Sequence, residues 1–424
     1  MIREKLSTLV AWKDKPNRKP LILNGARQVG KSWLVREFGR LHFDQIIEIN
    51  FEKNLEYHQI FKPNLDPKRI LREIALLEGK NIWQKTNLVF FDEVQTCPEA
   101  LMALRYFYEE MPDLHLIAAG SLLDFTFRNI PFPVGRVEFE TLHPMTFAEF
   151  LMARNRENLL ELIRNAPQTI PDVIETLIYD ELQNYFVVGG MPECVKLFCE
   201  NEDFNAVSEI QHDLMYSFRQ DFRKYQPQVN SDCLLDILEN TSKNVGNQTI
   251  YSKLTDRFTN PTIKQGHQVL CTARLLHKVE NVGISALPLV ASGKQFKTFF
   301  LDIGLLLNTS KFNFREAYIN KNLLATYEGK LSEQFVAQQL IAQDNDLKYW
   351  ARTEPAANAE IDFVVLEDNE IVPIEVKAGT KGSLKSLHYL LENHQNITSA
   401  TVFGKIKFGT NNKINFKPIY VAGM

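Results

Sequence analysis

Residues 20–35 read PLILNGARQVGKSWLV, and the order of their three parts decides the fold. A short apolar run ends at Asn24, the octapeptide GARQVGKS follows, and the amphipathic stretch WLVREFGRL then begins. That order predicts a strand, a tight loop and a helix. The octapeptide fits G-x-x-x-x-G-K-[ST] at every position. Its glycines let the backbone wrap until consecutive N–H groups and the helix N-terminus face one point, which suits the β-phosphate of a nucleotide. Nucleotide contacts are therefore expected from Gly25, Ala26, Arg27, Gln28, Val29, Gly30, Lys31 and Ser32, with ATP and Mg²⁺ as the cofactors. Lys31 is expected to bridge the β- and γ-phosphates and the Ser32 hydroxyl to bind Mg²⁺.

Working outward, short apolar runs at residues 20–23, 45–50, 88–91, 114–118 and 137–142 alternate with helical patterns, as in a parallel sheet covered by helices. The run LVFF at 88–91 has no polar face and ends in Asp92 and Glu93. Asp92 is expected to hold the hydration shell of Mg²⁺ and Glu93 to orient and polarise the attacking water. A further run ends in Gly120 and Ser121, read either as a plain turn or as a hydroxyl reporting on the γ-phosphate. Arg136 is read either as a group that stabilises transition-state charge, in its own subunit or a neighbour's, or as an ordinary surface ion pair.

The chain has 424 residues, enough for two or three domains. Basic and acidic residues number 48 and 52, so bulk charge excludes a protein that coats nucleic acid, and any such contact must come from a local patch. Cys97, Cys194, Cys199, Cys233 and Cys271 form no C-x-x-C pair, and no histidines share a zinc-binding spacing. No leader or membrane-spanning run is visible, and a cytoplasmic protein is expected.

From Phe147 the pattern turns helical, broken by VGGMP at 188–192, and residues 151–228 read as a lid or connector. Residues 229–310 offer three helices, at 233–243, 250–258 and 262–273, then a hairpin-like segment, an order that suits a winged helix. Lys253, Arg257, Lys264 and Arg274, with Arg219, Arg223 and Lys224 before them, are candidate DNA contacts, against the alternative of a protein-packing module. A helix at 325–342 and strands at 347–350, 361–366 and 371–377 predict a second α/β domain over 311–424.

Together GARQVGKS, FFDEVQ (90–95), AAGSLLDF (118–125) and VGRVEFETLHPMTFAEF (134–150) resemble the AAA-type P-loop ATPases of bacteria and archaea that carry a further C-terminal domain. GGMP (189–192), FFLDIGLL (299–306) and GKLSE (329–333) extend the resemblance downstream. It implies an α/β ATPase core of ASCE type over residues 1–150 and a C-terminal domain similar to the PD-(D/E)XK restriction-endonuclease fold. Under that likeness, Glu333, Asp362, Glu375 and Lys377 are a second candidate metal site. Glu375 and Lys377 stand two apart on a strand and share a face. Asp362 and Glu375 would hold Mg²⁺, Glu333 would complete its shell, and Lys377 would orient water against a phosphodiester. The competing reading is a noncatalytic scaffold with an internal Glu–Lys pair. Three functions follow as expectations: an ATPase that switches its C-terminal domains, an ATP-regulated DNA-binding protein or nuclease, and a slow nucleotide-latched interaction module. DNA or protein partners and an oligomeric state are left open.

Overall fold

Every side chain of Leu21–Asn24 is buried, and this strand anchors the first of two compact units, residues 2–143 and 144–424. The computed structural model describes residues 2–80, 86–121, 135–165, 170–222, 229–323, 329–352, 359–378 and 383–424. Leu122, Leu123, Asp124, Phe125, Arg223 and Lys224 lie outside them, as do residues 325–328 of the helix expected from 325.

The first unit runs α1 (Lys5–Asp14), β1 (Leu21–Asn24), α2 (Lys31–His42), β2 (Gln45–Asn50), α3 (Tyr57–Phe61), α4 (Pro67–Glu78), β3 (Asn87–Asp92), α5 (Pro98–Glu110), β4 (His115–Ala119) and β5 (Glu138–Thr141). Its sheet has the order β2-β3-β4-β1-β5 with every pairing parallel. This is the expected P-loop type of α/β sheet, with β4 inserted between the loop-bearing strand and the acidic strand. All six residues of β3 are buried, which explains its unbroken apolar run. Leu34, Val35 and Phe38 give α2 its buried stripe. At Gly39 an added Cβ would lie 2.1 Å from the Ile46 side chain, so only glycine lets α2 settle on β2.

The second unit begins with α6 (Phe147–Ala153), α7 (Glu157–Arg164), α8 (Asp172–Val188), α9 (Pro192–Asn201), α10 (Phe204–Asp221), α11 (Ser231–Lys243) and α12 (Asn260–Thr272). It continues with β6 (Leu276–Gly283), β7 (Val290–Phe300), α13 (Ile303–Ser310), α14 (Arg315–Ile319), α15 (Lys330–Ala342), β8 (Lys348–Ala351), β9 (Glu360–Glu367) and β10 (Glu370–Lys377). It closes with α16 (Lys385–Asn393), β11 (Ala400–Gly404), β12 (Gly409–Asn411) and β13 (Ile414–Pro418). Its mixed sheet has the order β12-β13-β11-β10-β9-β8-β6-β7. Among the described residues no helix is long and apolar enough to cross a membrane.

The segment expected to be a winged helix takes another form. Of its three helices only the first and third appear; residues 250–258 contain a single 3₁₀ turn, Tyr251–Lys253. Thr255 explains part of this, since its hydroxyl accepts from the Arg257 amide at 3.2 Å and bonds Asp236 at 3.1 Å, drawing the backbone away from a helical ladder. The hairpin β6–β7 is not a free wing. β6 pairs in parallel with β8, so the sheet runs across the boundary expected at 310, and the apolar end of β7 is buried.

Two segments matched downstream meet at one buried carboxylate. Asp302, fully buried, accepts from the Gly190 amide at 2.6 Å, the Leu305 amide at 3.0 Å and Gln338 Nε2 at 3.1 Å. A Cβ on Gly189 would lie 2.1 Å from Asp302 Oδ1, and one on Gly190 would lie 2.1 Å from the Met145 carbonyl oxygen. The glycine pair therefore exists to let the carboxylate and the chain at Met145 approach. Helix α15 supplies further side-chain amides: Gln334 pairs with both backbone groups of Phe300, Gln338 accepts from Ile303 and Gln339 accepts from Phe147. Asp302→Ala leaves two amides buried without an acceptor and is expected to destabilise the second unit by roughly 3 kcal/mol, read from chemical denaturation.

Candidate functional site

Residues 25–32 connect β1 to α2 through a wrapped backbone in which Gly25, Gln28 and Gly30 all have positive φ, at 149°, 63° and 93°. Gly25 has no alternative, because a Cβ there would lie 2.3 Å from the Leu142 carbonyl oxygen. Gly30 caps α2 without a side chain, leaving the helix N-terminus open toward the loop. The Lys31 ammonium, largely buried, donates to the Gly25 and Ala26 carbonyls at 3.0 and 2.8 Å. A triphosphate lying in the loop would offer that ammonium stronger, charged acceptors.

The parallel sheet brings the acidic strand to the same edge. Ser32 Oγ donates to Asp92 Oδ1 at 2.9 Å, and Asn50 Nδ2 donates to Asp92 Oδ2 at 3.2 Å. Burial pushes the Asp92 carboxyl above its usual range, and the Ser32 hydroxyl opposes that shift. Two oxygen ligands in contact beside a ring of amides suit Mg²⁺, which takes one or two protein ligands and keeps waters and phosphates for the rest. Glu93 follows in the left-handed conformation, φ 51°, and its carboxylate accepts from Gln95 Nε2 at 2.5 Å. Ser121, buried, follows the carboxyl end of β4 at this edge, where Ala119 pairs with Leu23.

Arg136 lies elsewhere. It precedes Glu138, which pairs with Leu21 at the amino end of β1, so it sits at the sheet edge opposite the loop. There its guanidinium donates to Glu109 at 3.0 Å and rests 5.8 Å from the Tyr108 ring centroid. Within its own chain it is a surface ion pair, and parallel register is the reason. Sequence reading also missed Arg3, buried just before α1, which donates to the Val29 carbonyl at 2.8 Å and the His143 carbonyl at 2.6 Å. No local motif marks such a long-range brace.

In the second unit Glu333, Asp362, Glu375 and Lys377 do converge, but around a residue not foreseen. Lys297 on β7 is fully buried and pairs with Glu360 at 2.6 Å, Glu333 at 3.4 Å and Asp362 at 3.4 Å. Lys377 is paired with Glu375 at 2.5 Å. Burial, then the nearby Asp362 charge, pushes the Glu375 carboxyl up to about 8, and Glu375 Oε2 has no hydrogen-bond partner. Among the described residues no group of three or more His, Cys, Asp or Glu side chains is arranged to hold a metal ion. The Glu333 and Asp362 oxygens expected to ligate Mg²⁺ here are paired with Lys297. The signal that could have revealed Lys297 was a lysine inside the otherwise apolar end of a strand, QFKTFF. Of the candidate DNA contacts, Arg257 is bound to Asp236 through both carboxylate oxygens, at 2.9 and 3.1 Å.

Comparison with known proteins divides the chain into three parts. Residues 17–151 match a family model described as an AAA domain. Residues 179–316 and 328–417 match two separate domains of unknown function, DUF8612 and DUF4143. No curated protein matches the chain. Among solved structures it is similar to a Walker-type ATPase of Pyrococcus abyssi, 18% identical over 73% of this chain and 95% of that one, with a TM-score of 0.46. It is also similar to the Aeropyrum pernix ORC1 protein in complex with DNA, 12% identical over 74% and 94% of the two chains, TM-score 0.30. A third is AMPPCP-bound DnaA from Aquifex aeolicus, 12% identical over 62% and 86%, TM-score 0.29. Nothing about this chain's substrate or partner follows from likenesses at this level.

Two outcomes are expected from this geometry. Arg3→Ala releases Val29 and His143, costs roughly 2 kcal/mol and weakens nucleotide binding, which thermal denaturation with and without nucleotide checks. For Glu375, the folded carboxyl holds its proton up to about 8, whereas an ordinary glutamate loses it near 4.5. The native state therefore binds more protons in that window, so stability falls as pH rises through it. Glu375→Gln is expected to flatten that fall in denaturation curves taken across the window.

Proposed function

We propose that residues 2–143 bind ATP with Mg²⁺ and hydrolyse it, and that the cycle drives a conformational change felt by residues 144–424. The observation that carries the reading is the contact of Ser32 Oγ with Asp92 Oδ1, 2.9 Å, at the edge where the loop amides and the α2 N-terminus also end. The match of residues 17–151 to an AAA domain supports it. In this reading the loop amides and Lys31 neutralise the β- and γ-phosphates, and Ser32 and Asp92 hold the cation. The chemistry supplied by a cation held by Ser32 and Asp92 would be neutralisation of the charge that develops on the phosphates. Glu93 orients the attacking water and accepts its proton. Ser121 stands at the same edge as the group that senses the γ-phosphate.

The switch has a physical carrier within the first unit. Gly25 packs on the Leu142 carbonyl, and Arg3 ties Val29 to the His143 carbonyl. A phosphate that rearranges the loop therefore pulls on the segment from which the chain continues into Pro144. Arg136, on the opposite edge, has no part in the reaction of its own chain.

A slower, latch-like cycle is the second reading, favoured by the Gln95 amide that holds the Glu93 carboxylate at 2.5 Å. Gln95→Ala raises turnover if that contact restrains the base, and leaves or lowers it if the contact merely aims the base. For the main reading, Lys31→Ala is expected to abolish ATP binding in equilibrium titrations. Glu93→Gln is expected to retain binding while turnover falls by about 10²–10⁴-fold. Equal binding and turnover in wild type and Lys31→Ala would sink the assignment.

A further inference from the structure

The C-terminal cluster is built around an ammonium whose three N–H bonds are all used. Lys297 Nζ has three carboxylate partners, Glu333 Oε2, Glu360 Oε1 and Asp362 Oδ1, at 3.4, 2.6 and 3.4 Å. The second oxygen of each carboxylate is also taken. Glu333 Oε1 accepts from Lys330 at 2.7 Å, Glu360 Oε2 from Gln248 at 2.7 Å, and Asp362 Oδ2 from the Val376 amide at 2.8 Å. Tyr349 and Phe363 wall the ammonium at 5.4 and 6.0 Å from their ring centroids. A buried ammonium is costly unless such partners are present, and a buried carboxylate equally so. A divalent cation added to this arrangement would meet a fixed positive charge a few ångströms away, and of the oxygens on Glu333, Glu360, Asp362 and Glu375 only Glu375 Oε2 lacks a donor.

We infer that Lys297 is the resident cation of this cluster: it stands where the endonuclease-like reading would put Mg²⁺, and it makes the cluster a structural ion-pair network closed to divalent metals. The chemistry that reads as a nuclease centre in Glu333, Asp362, Glu375 and Lys377 is thereby neutralised from β7, a strand outside the motif. A corollary follows from the same geometry. Lys297→Ala frees one oxygen on each of three carboxylates directed at one point and so converts the cluster into a divalent-cation site.

The test measures Mn²⁺ binding by electron paramagnetic resonance on the full chain without nucleotide, in an Asp92→Asn background that silences the first unit's candidate cation site. With Lys297 intact, binding is expected to be unchanged by Asp362→Asn. With Lys297→Ala, Mn²⁺ is expected to bind at least about tenfold tighter, and adding Asp362→Asn removes the gain. Mn²⁺ bound by the Lys297-intact protein and lost in Asp362→Asn would overturn the inference. So would Mg²⁺-dependent DNA cleavage by wild type that disappears in Asp362→Asn, or a folded Lys297→Ala protein, checked by circular dichroism, that gains no Mn²⁺. If Lys297→Ala fails to fold, the comparison with lysine intact still decides. ATP turnover is not a readout here, so failure of the ATPase reading and failure of this one are distinguishable.

Discussion

Parallel pairing of β1, β4 and β3 is the constraint on which the candidate nucleotide site depends. Parallel strands end on one side, so the loop after Asn24, the acids after Phe91 and the Gly-Ser step after Ala119 are delivered to a single edge. Nothing in their sequence spacing alone would bring Ser32 to Asp92. The same rule sends Arg136 away, because the segment leading into β5 approaches from the amino edge. One geometric property thus assembles three candidate groups and excludes a fourth.

The second unit is organised by a different device, the pairing of buried polar groups. Asp302 holds the Gly190 and Leu305 amides, the glutamines of α15 pair with backbone at Phe300, Ile303 and Phe147, and Lys297 gathers three carboxylates. Such groups are costly unless every partner is present, so each one restricts the chain to a single arrangement. Helix α15 belongs to both sets: Glu333 faces the cation while Gln338 and Gln339 face the helical region through Tyr185. That double role explains why so much of a buried helix is polar, with Ser332, Glu333, Gln334, Gln338 and Gln339 all inside.

Much of the first unit was legible. Its five strands lie within a residue of the runs that announced them, most plainly β1 and β3, which are buried at every residue and so almost wholly apolar. The helical stretch from Phe147 and its break at Gly189 were equally plain, since local periodicity and two glycines encode them. The winged helix was misleading: two real helices and a real hairpin stand in the right order, yet β6 finds β8 instead of closing a small domain. Pairing between strands far apart in sequence leaves no local trace.

By itself the sequence determined the phosphate-loop shape, through glycines whose backbone angles no other residue adopts easily, and the acidic end of a buried strand. Only the tertiary structure decided that Arg3 braces the loop, that Arg136 faces the wrong edge, and that Lys297 sits among the C-terminal carboxylates. The physical reason is range. Backbone conformation and strand burial are set by neighbours along the chain, whereas a buried charge is placed by whichever distant partner can neutralise it, and that partner is chosen by the fold.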